Sequence, residues 1–136
     1  MEQKDYLLRE IEKIGLLFRA ILGNLFDKSE NLAITIQSDF EKTNEQLLNE
    51  IGFDLKHFLT LDDSAINEYL AKFNGLKTAN LELLAELLFF FGENEKSDTK
   101  RVFLDKALQL YELCKRTDKT YSFDRETKIN MIKNAL

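Results

Sequence analysis

The chain has 136 residues, of which 44% are hydrophobic; eleven are Phe, five are Gly and none is Pro. A domain of this size buries roughly two thirds of the surface of its unfolded chain, so the composition argues against disorder. The absence of Pro favours helices, because Pro removes a helical donor and clashes with the preceding turn. The net charge of −5 argues against phosphate binding by the whole surface, although residues 29–71 carry −7 and residues 100–136 carry +4.

Cysteine usage and apolar run lengths indicate a cellular compartment. Cys114 is the single cysteine, so an internal disulfide is excluded. Charges interrupt every apolar stretch of the N-terminal segment, and no signal peptide is expected. The longest apolar run, Leu87 to Phe91, is far shorter than the roughly 20 residues that span a bilayer. These features predict a cytoplasmic protein without a transmembrane segment.

Two long helices are predicted first. One runs from about Asp5 to Phe26, and apolar residues at spacings of three and four cover about half of its circumference. The next runs from about Ser29 to Glu50, with Asp27 or Ser29 as its N-cap and Gly52 in a left-handed conformation after its end. The stretch DLKHFLTLDD then predicts a short helix opened by Asp54.

The rest of the sequence predicts four more helices. Ser64 is expected to cap a helix that carries Phe73 and ends at Asn74-Gly75. A fifth helix, about Thr78 to Phe91, is apolar nearly all round and is expected to be central, ended by Gly92 and followed by the loop GENEKSD. Helix six is predicted over about Asp98 to Arg116, and helix seven over about Phe123 to Leu136 with Ser122 or Asp124 as its cap.

The first helix needs cover on two sides because of its wide apolar sector. Gly15 within it costs about 1 kcal/mol relative to Ala, so it is expected to mark the close approach of another helix. We therefore predict a homodimer through this helix, with an interaction surface that includes Ile14, Gly15, Leu17 and Ile21. The alternative is that the last helix folds back over the same face.

No catalytic or metal-binding motif is evident. Cys114 lies on an apolar helix face and is expected to be a small buried hydrophobe, while His57 is expected at the surface. No Cys or His cluster has zinc spacing, and no cofactor is predicted. Glu82 and Glu86, one turn apart, are either paired carboxylates or the wet face of helix five. A deep polar pocket there would favour an enzyme or ligand binder, whereas a flat apolar patch would favour an adaptor.

Basic residues cluster at the turn between helices six and seven: Lys115, Arg116, Lys119, Arg125 and Lys128. Aromatic residues lie among them, so residues 115–128 could contact nucleic acid or an anionic membrane. The alternative is that cations are placed favourably near a helix C-terminus, with the aromatics packing on the next helix. We favour the second interpretation and expect no nucleic-acid binding, because the chain as a whole carries a net negative charge.

The C-terminal 50 residues resemble a tetratricopeptide-repeat helical hairpin followed by the start of another. The large–small–aromatic–small pattern of that repeat's second helix is matched by Leu104, Ala107, Tyr111 and Cys114. A peptide-binding groove is not implied, because it needs about three stacked repeats and residues 1–75 show no second copy. The stretch KDYLLREIEKIGLLFRAILG resembles uncharacterised small bacterial all-helical proteins, a resemblance that implies no activity.

The sequence thus predicts one helical domain over residues 1–136, an all-α antiparallel bundle of six to seven helices with a tetratricopeptide-like C-terminal pair. The predicted function is that of a protein-interaction or adaptor module without catalytic activity, acting on an unidentified protein partner. Two alternatives are a peripheral nucleic-acid or membrane contact protein and an enzyme or small-ligand binder without a readable motif.

Overall fold

The computed structural model describes residues 2–28 and 34–136, and 83% of these residues are helical with no strand among them. The predicted all-α class is therefore confirmed. Within the described ranges every helix is too short or too polar to cross a lipid bilayer. The helices are α1 (Glu2–Lys28), α2 (Ile34–Ile51), α3 (Leu55–Thr60), α4 (Asp63–Leu70), α5 (Thr78–Glu93), α6 (Ser97–Thr117) and α7 (Phe123–Ala135).

The chain divides into two compact units, Met1–Leu76 with α1 to α4 and Lys77–Leu136 with α5 to α7. This division concerns contacts within the chain, and the single domain over residues 1–136 stays a prediction.

Two residues were proposed as the cap at the start of the second helix. Asp27 lies within α1, and Ser29 lies outside the described residues.

Side chains from neighbouring helices hold the short helix α3 in the N-terminal unit. Asp54 is its N-cap, as predicted. Asn44 of α2 accepts hydrogen bonds from the backbone N–H groups of Leu55 at 2.7 Å and Lys56 at 3.2 Å. The hydroxyl of Tyr69 on α4 accepts a bond from the Asp54 N–H at 2.9 Å. Three of the N–H groups at this helix start are therefore satisfied by α2 and α4.

The start and end of α4 differ from the prediction. Asp62, not Ser64, is the N-cap, and its carboxylate accepts a bond from the Ala65 N–H at 2.9 Å. The Ser64 hydroxyl instead donates to that carboxylate at 2.8 Å. Asp and Ser are comparable caps, so sequence alone does not choose between neighbouring candidates. The helix ends at Leu70, and Phe73 lies in the turn that follows.

Glycines serve two different purposes in this unit. Gly52 adopts the predicted left-handed conformation, with φ of 74°. Gly75 instead permits close packing against α1: a Cβ there would lie 2.5 Å from Ile14 Cδ1 and 2.9 Å from the Glu10 carbonyl oxygen. Gly15, which was predicted to mark such an approach, is buried one residue beyond Ile14.

The C-terminal unit is built on a tight hairpin of α5 and α6. Gly92 was predicted to end α5, but the helix continues to Glu93 and α6 begins at Ser97, so only residues 94–96 connect them. A Cβ at Gly92 would lie 2.7 Å from Leu104 Cδ2 and 3.2 Å from Phe103 Cβ. Gly92 therefore lets α6 pack closely against α5, and the loop predicted over GENEKSD is mostly helix.

The core of this unit is apolar, as the pattern of α5 predicts. Leu84, Leu88 and Phe91 of α5 are fully buried, and Ile129 and Ile132 of α7 are buried as well. The polar side of α5, which carries Glu82 and Glu86, lines the pocket described below and is the side that pairs with the cations of α7.

Gly75 is closely packed and Gly23 is not, so replacing each with alanine should have opposite effects on stability. Gly75→Ala should lower the free energy of unfolding by about 1–3 kcal/mol, because the new methyl group meets the backbone of α1. Gly23→Ala should raise it by about 0.5–1 kcal/mol, because this α1 position has open space around it and Ala favours helix. Urea denaturation of both variants measures the two values, and equal tolerance of both substitutions would contradict the close approach.

Candidate functional site

A polar pocket of about 450 Å³ lies in the C-terminal unit. This volume is within the range of about 300–1,000 Å³ that is usual for ligand sites. The pocket holds both Glu82 and Glu86, at which the sequence places either paired carboxylates or a wet helix face. Its wall consists of Thr78, Ala79, Glu82, Leu83, Glu86, Tyr111, Asp118, Asp124, Arg125 and Lys128.

Arg125 joins the three helices around the pocket. Its Nε donates to Glu82 Oε1 at 2.6 Å, and its Nη2 donates to Asp118 Oδ2 at 3.2 Å. Ser122 caps α7, as one of the two predicted candidates, and accepts a bond from the Arg125 N–H. Burial lowers the pKa of Arg125, but the bonds to Glu82 and Asp118 outweigh this and raise its pKa overall. The guanidinium, only 5% exposed, thus stays charged.

Lys128 forms a second ion pair one turn further along α7. Its Nζ donates to Glu86 Oε1 at 2.8 Å and lies 3.8 Å from Asp124 Oδ2. The same Nζ lies 6.0 Å from the centre of the Phe89 ring. The two glutamates of α5 and the two cations of α7 are thus each separated by about one helical turn.

The basic turn is mostly engaged in internal ion pairs. Besides the two pocket cations, Lys115 pairs with Glu126 at 2.7 Å. Arg116 and Lys119 are exposed, and no ion pair involves them within the described part of the chain. The five predicted residues therefore do not form one free cationic surface.

Tyr111 presents an unusual hydroxyl at the pocket. The residue is only 1% exposed, and its hydroxyl has no hydrogen-bond partner among the described residues. Burial raises the pKa of Tyr111 well above its usual range, and the negative charges of Glu86, Glu82 and Asp124 raise it further. A buried polar group without a partner is rare. Tyr111, which carries this one, is among the residues that line the pocket.

Cys114 of α6 is buried, as predicted. Its Sγ donates to the Thr78 carbonyl oxygen at 3.5 Å. Burial raises the pKa of the Cys114 thiol to about 12, with a further contribution from Glu82. The sulfur is therefore protonated at neutral pH, and a thiol in this state is a poor nucleophile.

The predicted interaction surface on α1 needs correction. Ile14, Gly15 and Ile21 are buried within the chain, and Leu17 is half-buried. The outward side of the helix carries Leu16 instead, which is 58% exposed. The wide apolar sector was recognised correctly, but spacing alone did not show which part of it the rest of the unit covers.

A shallow groove of about 500 Å³ nevertheless runs along α1. Lys13 Nζ donates to the Glu50 carbonyl oxygen at 3.3 Å across it, which connects α1 to the end of α2. Its lining combines two leucines with two cations and two anions. The groove residues are Arg9, Glu12, Lys13, Leu16, Leu17 and Glu50.

Within residues 2–28 and 34–136, no group of three or more His, Cys, Asp or Glu side chains is arranged to hold a metal ion. Comparisons with protein families, curated proteins and solved structures find no match for this chain. The resemblance of the C-terminal hairpin to a tetratricopeptide repeat and that of the N-terminal stretch to small bacterial proteins stay predictions.

Sequence reasoning missed the pairing of α5 with α7 and the pocket role of Tyr111. Glu82 and Arg125 lie 43 positions apart, so no local pattern connects them. One signal was available: two acids one turn apart on an otherwise apolar helix, and two bases one turn apart on a later helix. Such matched spacings identify candidate partners when two helices pack side by side.

The Tyr111 hydroxyl leads to a stability prediction. Tyr111→Phe should raise the free energy of unfolding at neutral pH by about 1 kcal/mol, because it removes a buried unpaired hydroxyl. In the unfolded chain a tyrosine ionises near pH 10, whereas folded Tyr111 stays protonated, so stability present below pH 10 is lost above it. The advantage of the variant should therefore widen by up to about 1.4 kcal/mol per pH unit above pH 10.

Urea denaturation between pH 7 and pH 11 measures this difference. Tyr121→Phe is the matched control, because Tyr121 is exposed and its replacement should change neither stability nor its pH dependence. A less stable Tyr111→Phe variant at neutral pH would show that the hydroxyl already holds a partner, such as a bound water.

Proposed function

We propose that this chain is a non-catalytic protein-interaction module, and that the pocket of the C-terminal unit holds a side chain of the protein partner. The Tyr111 hydroxyl carries the proposal, because Tyr111 lines the pocket and its buried hydroxyl has no hydrogen-bond partner among the described residues. A polar atom in this state is satisfied when a ligand or a water enters. A pocket at Glu82 and Glu86 was expected to favour an enzyme or a ligand binder. It is compatible with an interaction module because the ligand that we propose for it is a side chain of a partner protein.

The chemistry of the pocket favours binding over catalysis. Tyr111 has its pKa raised by burial and by nearby carboxylates, so it stays protonated and is not a general base at neutral pH. The Cys114 thiol, with its pKa raised to about 12, is not an activated nucleophile. Glu82 and Glu86 each accept a bond from a cation of α7, which fixes their positions.

Site-specific photo-crosslinking in the native cell extract tests this function. A benzoylphenylalanine at Ala79, an exposed residue of the pocket wall, should give a discrete crosslinked protein. The same group at Thr99, an exposed α6 residue outside the pocket, is the matched control and should not give it. The additional substitution Glu86→Gln should weaken the Ala79 product. Identical products from both positions, or none from Ala79, would contradict the proposal.

Self-association through α1 is a second candidate, favoured by the groove on that helix. The exposed Leu16 lines this groove, and Leu8 and Tyr6 are also more than half exposed on α1. Arg9 and Lys13 line the groove together with two acids, so a two-fold related copy can place opposite charges against each other. A homodimer would then cover the apolar surface that Leu16 presents.

Sedimentation equilibrium at micromolar concentration tests this candidate. The unaltered chain should show a dimeric mass, and Leu16→Glu should show a monomeric mass with unchanged stability, because a carboxylate at the contact costs desolvation. Val102→Glu, at an exposed apolar position of α6, serves as the control and should remain dimeric. A monomeric mass of the unaltered chain would rule out the dimer.

The other predicted properties do not change with this proposal. Contact of residues 115–128 with a nucleic acid or a membrane is disfavoured, because Lys115, Arg125 and Lys128 are engaged with carboxylates of the same unit. A cytoplasmic location stays a prediction.

A further inference from the structure

The charge of the pocket indicates which ligand it accepts. Its wall contains four carboxylates, those of Glu82, Glu86, Asp118 and Asp124, and two cations, which leaves a net charge of −2. Within the described part of the chain, the ion pairs use Oε1 of each glutamate and leave Oε2 as an acceptor. An incoming anion would meet excess negative charge, whereas an incoming cation would reduce it.

The environment of Tyr111 agrees with a negative pocket. Three carboxylates, those of Glu86, Glu82 and Asp124, act on the phenol and raise its pKa. The phenol oxygen can accept a hydrogen bond from an N–H donor that enters the pocket. A buried acceptor beside two glutamate oxygens therefore suits a group that carries several N–H donors and a positive charge.

The apolar part of the wall matches the rest of such a ligand. Leu83 and Ala79 line the pocket beside the glutamates. Lysine and arginine side chains pack their methylene stems along apolar surface while their charged ends reach polar groups. The pocket volume of about 450 Å³ accommodates one side chain of this kind.

We propose that the pocket binds an alkylammonium or guanidinium group, held by Glu82, Glu86 and Tyr111 and presented on a lysine or arginine side chain of the partner protein. This proposal rests on the function proposed above, in which the pocket holds a partner side chain. The resident cations Arg125 and Lys128 show that these glutamates accept both a guanidinium and an ammonium at hydrogen-bond distance.

NMR titration of the isotopically labelled full chain tests the proposal with probes of equal chain length. n-Butylammonium and n-butylguanidinium should shift the ring signals of Tyr111 and the carboxyl signals of Glu82 and Glu86, whereas n-butyrate and n-butanol should not. Added salt should weaken the binding of the cations, because the attraction is electrostatic.

Substitutions of pocket residues show whether the NMR shifts arise from binding in the pocket. Glu86→Gln should weaken cation binding about ten-fold, as the loss of one charge-assisted hydrogen bond does. Tyr111→Phe, which keeps the ring, should also weaken it. Glu93→Gln is the matched control, because Glu93 is an exposed acid at the end of the same helix, and it should leave binding unchanged.

Two further arms distinguish the source of the cation. A short alanine peptide with one central lysine should bind more tightly than n-butylammonium, and its norleucine analogue should not bind. Spermidine binding far more tightly than the lysine peptide would assign the site to a free polyamine and overturn the protein source.

Different outcomes would contradict the cationic ligand and the proposed interaction function. Binding of n-butyrate or n-butanol in preference to the cations would overturn the cationic ligand but leave a pocket that binds partners. An absence of shifts with every probe, together with a retained Ala79 crosslink, would likewise overturn the cationic ligand alone. Loss of the Ala79 crosslink would contradict the proposed function itself.

Discussion

Nearly the whole circumference of α5 is apolar, so this helix must be covered on every side except the one that carries Glu82 and Glu86. Gly92 allows α6 to approach closely enough to cover one face. The polar side stays partly exposed, and its two glutamates pair with Arg125 and Lys128 of α7. The pocket follows from the burial of one helix.

The ion pairs between α5 and α7 also determine the net charge of the pocket. Each cation of α7 is shared with a second acid, Asp118 for Arg125 and Asp124 for Lys128, so acids outnumber bases in the wall. Breaking such a pair by removing one partner is costly when the remaining charge is poorly solvated. Arg125, nearly fully buried, is therefore as much a structural residue as a pocket residue. This explains why the positive C-terminal region does not present a free cationic surface there.

Much of the architecture could be predicted, because helix formation and capping leave local signals. The helices, the left-handed Gly52, the cap Asp54 and the burial of Cys114 were predicted from short windows, and Ser122 was one of two candidate caps of the last helix. Features that depend on contacts between residues far apart in the sequence were not predicted. Gly92 has the appearance of a helix end in the sequence, and only the nearby side chain of Leu104 shows that it is a packing position.

The same distinction applies to the sites. The width of the apolar sector on α1 was correct, but Ile14 and Ile21 became core while Leu16 stayed outside, since the cover comes from elements elsewhere in the unit. For the pocket, Glu82 and Glu86 were identified with two interpretations left open. Their partners lie more than 40 residues later, and the unpaired hydroxyl of Tyr111 is a property of the packed structure only.

The support of α3 by its neighbours has a consequence for how the N-terminal unit opens. A helix of six residues is too short to persist alone, because isolated helices below about 12–15 residues are marginal in water. Its first N–H groups depend on Asn44 of α2, and the Asp54 N–H depends on Tyr69 of α4. Local unfolding of α2 or α4 therefore releases α3 at the same time. These three helices should exchange their amide hydrogens as one cooperative unit, and α3 should have no separate opening event of its own.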